Sequence, residues 1–149
     1  MIIQAEDPMN SQRDVSNGTA ARSLLFIERS PALRPLKKLL RKRNLFIFEC
    51  PAPEKGLRLL QEFRFDFILI DLFIAGSLNG YDFCKKLKED PGTKAIPLFL
   101  FSNHPLPQEV ARSYFFDLKA DRLIFPPFDL APLYQQVCFV FQSGRDNAV

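Results

Sequence analysis

A chain of 149 residues with 47% hydrophobic content and a formal charge of +3 can bury one core, which excludes a disordered polyelectrolyte and favours one domain over two. So small a charge makes no case for nucleic acid by itself, and no stretch reaches the about 18 apolar residues of a membrane span. The N-terminus lacks a basic-then-apolar secretory pattern, so a cytoplasmic protein is expected.

Residues 1–22 are rich in Asn, Ser, Asp, Gln and Gly without sustained periodicity, and predict a flexible N-terminal tail. A domain over 23–142 follows, then a short C-terminal tail at 143–149. Within the domain, the runs Leu24 to Glu28, Leu45 to Phe48, Phe67 to Ile70, Leu98 to Phe101 and Leu123 to Phe125 are continuous rather than alternating in their apolar residues. Continuous rather than alternating runs predict parallel strands covered on both faces. Between them lie helical stripes: Leu33, Leu36, Leu39 and Leu40; Leu57 and Leu60; Cys84 and Leu87; Val110 and Tyr114. A last helix starts near Asp129 and carries Leu130, Leu133, Val137 and Phe141, with Pro132 tolerated in its first turn. The expected fold is α/β, a five-stranded doubly wound parallel sheet in a three-layer α/β/α sandwich. Cys50, Cys84 and Cys138 are odd in number and set among apolar residues, a pattern of reduced core thiols.

In open parallel sheets, reactive groups gather at the carboxyl ends of the strands. Glu28, Arg29, Asp71, Ser102 and Pro126 all fall there. The stretch Asp66-Phe67-Ile68-Leu69-Ile70-Asp71-Leu72, with Gly76, Gly80, Leu87-Lys88-Glu89-Asp90-Pro91 and Ile96-Pro97, resembles the receiver domain of two-component response regulators. Phe26-Ile27-Glu28-Arg29-Ser30-Pro31, Ala120-Asp121 and Pro127-Phe128-Asp129 extend the resemblance from Ser23 to about Phe141. It implies the flavodoxin-like (βα)5 fold and places Asp71 at the position that accepts a phosphoryl group from a kinase histidine. Catalysis of that transfer is positioning and charge neutralisation.

The same resemblance shows where this chain departs from the pattern. Receivers hold Mg²⁺ with the acceptor and an acidic pair after the first strand, which here reads Glu28-Arg29. Glu28 and Asp71 are therefore the remaining candidate metal ligands, and Arg29 is expected to pair with Asp71 in place of the ion. The position of the family's lysine is taken by Pro126, which has neither side-chain donor nor N–H. Ser102 matches the hydroxyl that bonds the phosphoryl group, with the turn-capping role as its alternative. The aromatic that moves with that hydroxyl is replaced by Leu123, so the ordinary two-state relay is expected to be broken. His104, a lone loop histidine, is expected to be solvated.

The first helix carries Arg34, Lys37, Lys38, Arg41, Lys42 and Arg43, a basic face read as solvated or as a dock for an acidic protein, a scaffold or a histidine kinase. Nucleic acid is not favoured, because no recognition helix or aromatic-interleaved groove accompanies it. Phe115, Phe116, Phe125, Phe128, Phe139 and Phe141 crowd the fourth helix, fifth strand and fifth helix, suggesting a hydrophobic surface for a homodimer or partner. Two functional readings stand. The preferred one is an atypical receiver acting as a phosphorylation-independent interaction module, without enzymatic turnover or cofactor. The other is a phosphoacceptor at Asp71 that needs Mg²⁺. A flavodoxin-like cofactor binder is disfavoured, since no glycine-rich loop follows the first strand.

Overall fold

In the computed structural model, residues 22–148 are described, with side chains described up to Phe141. The expected tail over 1–22 therefore lies outside the described residues, except for Arg22. Five parallel strands, β1 (Arg22–Ile27), β2 (Leu45–Cys50), β3 (Phe67–Asp71), β4 (Leu98–Phe101) and β5 (Arg122–Ile124), form one sheet in the order β2-β1-β3-β4-β5. The connecting helices are α1 (Arg34–Arg41), α2 (Pro53–Glu62), α3 (Gly80–Glu89) and α4 (Gln108–Asp117), and α5 (Leu130–Ala148) closes the chain. Arg22 already pairs with Leu45, and α5 continues past Phe141, so regular structure extends slightly beyond 23–142 at both ends. No proline interrupts the last helix after its apolar stripe ends.

Alternation along each strand sorts the apolar side chains into two cores. Leu24 and Phe26 of β1 join Phe67 and Leu69 of β3 and meet Leu33, Leu36 and Leu40, then Leu133, Val137 and Phe141 of α5. Leu25 and Ile27 face the other way, onto Phe83, Cys84 and Leu87 of α3, with α2 adding the half-buried Leu57 and Leu60. Phe67 sits at the centre of the first core, its ring edge-on to Phe99 at 4.8 Å. Each fully buried phenylalanine of this kind contributes roughly 2–3 kcal/mol. Much of the chain's phenylalanine is thus spent inside.

Several expectations need correcting at the level of single residues. The inner stripe of the first helix is Leu33, Leu36, Lys37 and Leu40, an i, i+3, i+4, i+7 series in which Leu39 is only half-buried. Val110 is exposed and α4 has no fully buried residue; Leu118 and Ala120, just beyond the helix, close that end of the core instead. The chain turns from α1 into β2 at Asn44, whose φ of 60° is the left-handed conformation asparagine tolerates. Cys50 and Cys84 are buried and Cys138 is half-buried, all free thiols. Burial pushes the Cys84 thiol up to about 12, so it stays protonated.

Candidate functional site

The carboxyl edge of the sheet brings Glu28 beside Asp71. Ile27 of β1 is in register with Ile70 of β3, and each carboxylate follows its strand's last shared pair. Asp71 is 7% exposed. Its Oδ1 accepts the N–H of Phe73 at 2.9 Å, and its Oδ2 faces the Asn103 amide at 3.4 Å. Burial raises this carboxyl above its ordinary range, with the Phe73 N–H and the charges of His104 and Arg29 pulling the other way. Behind it, Gly80 opens α3 so close to β3 that a Cβ there would lie 2.4 Å from the Asp71 carbonyl oxygen. Only glycine lets helix and strand end approach in this way.

Glu28 is fully engaged. Its Oε1 accepts the N–H of Ser30 at 2.6 Å, and its Oε2 takes the ammonium of Lys37 in a buried ion pair. Lys37 is only 5% exposed. Its ammonium also lies 5.5 Å from the Phe26 ring centroid and 3.5 Å from Glu49. Glu49 in turn is held at 2.7 Å by Arg41. Burial pushes the Glu49 carboxyl up, but Arg41 and Lys37 together outweigh it and hold the group low. Lys37, read from sequence as part of a solvated basic face, is therefore a buried residue of the site.

Arg29 does not pair with Asp71, contrary to expectation; among the described residues no ion pair reaches that carboxylate. The guanidinium instead donates to the carbonyls of Pro51, at 3.0 Å, and Ala75, at 3.5 Å. Adjacent residues at a strand end point to opposite faces, so Glu28 turns to α1 while Arg29 turns to the loops before α2 and α3. Ser102 is also turned inward on its own loop: its hydroxyl donates to the His104 carbonyl at 2.7 Å and accepts the His104 N–H at 3.1 Å. Leu123 is half-buried against the α3-side core, and Pro126 forms a cis peptide with Pro127. His104 is exposed.

Glu54 and Asn103 were not found by sequence reasoning. Glu54, in the first turn of α2, accepts both the N–H and the hydroxyl of Ser77 in the loop before α3. These bonds hold its carboxyl below the usual range. Asn103 carries one sequence signal, an amide two residues after the β4 end.

Mg²⁺ takes about six oxygen ligands, several of them water, and is anchored by carboxylates free to reach it. Both Glu28 oxygens are bound elsewhere, and among the described residues no group of three His, Cys, Asp or Glu side chains converges. The donor set does not fit Mg²⁺.

The sheet order, the buried aspartate closing β3 and the glycine-tight start of α3 agree with a comparison by sequence: the model of the response regulator receiver domain matches residues 25–138. The chain belongs to that family. No curated protein sequence matches it. Among solved structures, the receiver domain of a signal transduction histidine kinase from Syntrophus aciditrophicus is 27% identical, with TM-score 0.70 over 83% of this chain and 92% of that one. The chemotaxis protein CheY4 of Vibrio cholerae is 19% identical, with TM-score 0.67 over 81% and 99%. The receiver domain of a Pseudomonas aeruginosa sensor histidine kinase, described with magnesium coordinated in its active-site cleft, is 19% identical, with TM-score 0.64 over 79% and 94%. This receiver thus shares the fold of a relative described with magnesium in its cleft. Among the described residues, no helix is long and apolar enough to cross a membrane.

Proposed function

We propose that this receiver domain is a phosphorylation-independent protein-interaction module of two-component signalling, working in the cytoplasm through a fixed surface. One observation carries the reading: Lys37 occupies the Glu28 carboxylate, leaving Asp71 with neither a paired cation nor a second acid to share one. Pro126 in place of a lysine and Ser102 bonded to its own loop support it further, because the amine and the free hydroxyl that would grip a phosphoryl group on Asp71 are both missing at those positions. The partner surfaces are the outward cations Arg34, Lys38 and Lys42, suited to an acidic protein such as a kinase or scaffold, and the exposed rings of Phe116 and Phe139, suited to a second copy.

The competing reading, a phosphoacceptor at Asp71, is favoured by the loosely held Oδ2, whose partner among the described residues is an amide at 3.4 Å. Incubation with acetyl phosphate or beryllofluoride and Mg²⁺ separates the two. The interaction-module reading expects no adduct by intact mass and no amide shifts around Asp71. An adduct that the Asp71→Asn variant lacks would establish the acceptor instead.

A further inference from the structure

We propose that Lys37 is the resident cation of this carboxylate pocket, its ammonium occupying Glu28 so that the strand-end site takes no divalent ion. The proposal deepens the interaction-module reading, but its test reads metal binding and not phosphorylation, so either can fail alone.

Three observations support the assignment. Lys37 lies within the buried stripe of the first helix, where a lysine is rarely found unless its ammonium is paired. Its ammonium lies over the Phe26 ring and at the strand end, where Oε2 of Glu28 receives it and Glu49 adds a second carboxylate. Finally, the remaining oxygen of Glu28 is fixed by the Ser30 N–H, so the carboxylate cannot turn toward a new ion without breaking that bond as well.

With Lys37, Arg29 and Arg41 set against Glu28, Asp71 and Glu49, three charges of each sign, the cluster is formally neutral. A divalent cation binds where carboxylates present uncompensated negative charge and free oxygens, and here both oxygens of Glu28 are taken. Arg29 adds a cation at the rim but uses its donors on backbone carbonyls, so it does not substitute for Lys37 at the carboxylates.

The test titrates the full chain and three variants, Arg29→Asp, Lys37→Met and Lys37→Met/Arg29→Asp, with Mg²⁺ alone and Mn²⁺ alone, reading thermal shift and backbone amide shifts. Wild type is expected to show no saturable response. The double variant is expected to acquire a saturable Mg²⁺ site and Arg29→Asp, in which Lys37 still holds Glu28, to remain without one, a difference of at least about tenfold in affinity. A saturable Mg²⁺ site in wild type would overturn the proposal, as would a folded double variant no tighter than Arg29→Asp. If the Lys37 variants do not fold with or without metal, Arg29→Asp decides. Its failure to bind supports Lys37 as the block, and its acquiring a saturable site refutes it.

Discussion

Lys37→Met removes the ammonium while keeping an unbranched apolar side chain on the buried stripe of the first helix. Glu28 then retains the Ser30 N–H but loses its charged partner in a place where both side chains are almost wholly shielded from water. Two unit charges about 3 Å apart attract by roughly 5 kcal/mol at an effective dielectric near 20, before desolvation is subtracted. Breaking a buried pair from one side costs about 3–5 kcal/mol, because the surviving charge is stranded. For a domain whose stability lies in the range of about 5–15 kcal/mol, that is a large share. Urea unfolding followed by circular dichroism should show this loss, with a fall in Tm of roughly 10–20 °C. The double variant Lys37→Met/Glu28→Gln removes both charges and should recover most of the deficit. A Lys37→Met protein within about 0.5 kcal/mol of wild type, the range of ordinary surface changes, would mean that Lys37 is solvated and that the site has been misread.

Asp71→Asn should stabilise the domain at neutral pH. The folded state holds the Asp71 proton above the ordinary value of 3.8, so stability falls as pH rises through the window that starts there and ends at the raised pKa. Asparagine removes that penalty; the gain in urea unfolding should vanish well below pH 3.8, and a destabilised variant at neutral pH would contradict the assigned direction. Gly80→Ala places a Cβ against backbone that cannot swing aside, 2.4 Å from the Asp71 oxygen, and should cost about 1–3 kcal/mol or more. A Gly80→Ala midpoint equal to wild type would show that the start of α3 can retreat. Phe116→Ser and Phe139→Ser, with rings 67% and 59% exposed, should change unfolding free energy by less than about 0.5 kcal/mol while weakening self-association in sedimentation velocity. Unchanged association in both would remove these rings from the proposed dimer surface.

The sheet was legible because its strands are covered on both faces. Leu24 to Ile27 and Phe67 to Ile70 could be read directly as buried β, and the leucines between them as a helix of the opposite period. Asp71 was legible for the same reason, as the polar residue closing such a run. Lys37 was not, although its position four residues after Leu33 and three before Leu40 puts it on the inner stripe; counting it with its cationic neighbours hid that placement. Arg29 was expected on Asp71 because it stands where the resemblance puts a metal-binding acid, whereas strand alternation turns it to the face opposite Glu28, where backbone carbonyls take its donors. Glu54 and Asn103 act across gaps of 23 and 32 residues, and hydrogen bonds of that reach leave no local pattern to read. The phenylalanine excess was only partly surface, since Phe141 is buried and Phe115, Phe125 and Phe128 are half-buried.

The loop between β3 and α3 is pinned from two sides, by Arg29 on the Ala75 carbonyl and by Glu54 on Ser77. Phe73, 54% exposed on that same loop, has its N–H fastened to Asp71 and its ring set edge-on to Tyr114 at 6.0 Å. An aromatic anchored in this manner is presented already ordered, so covering it sacrifices little conformational freedom. Contact there would gain its affinity from rigidity existing beforehand, and one of the pins is a cation on neutral carbonyls, a short-range bond that added electrolyte screens far less than an exposed ion pair.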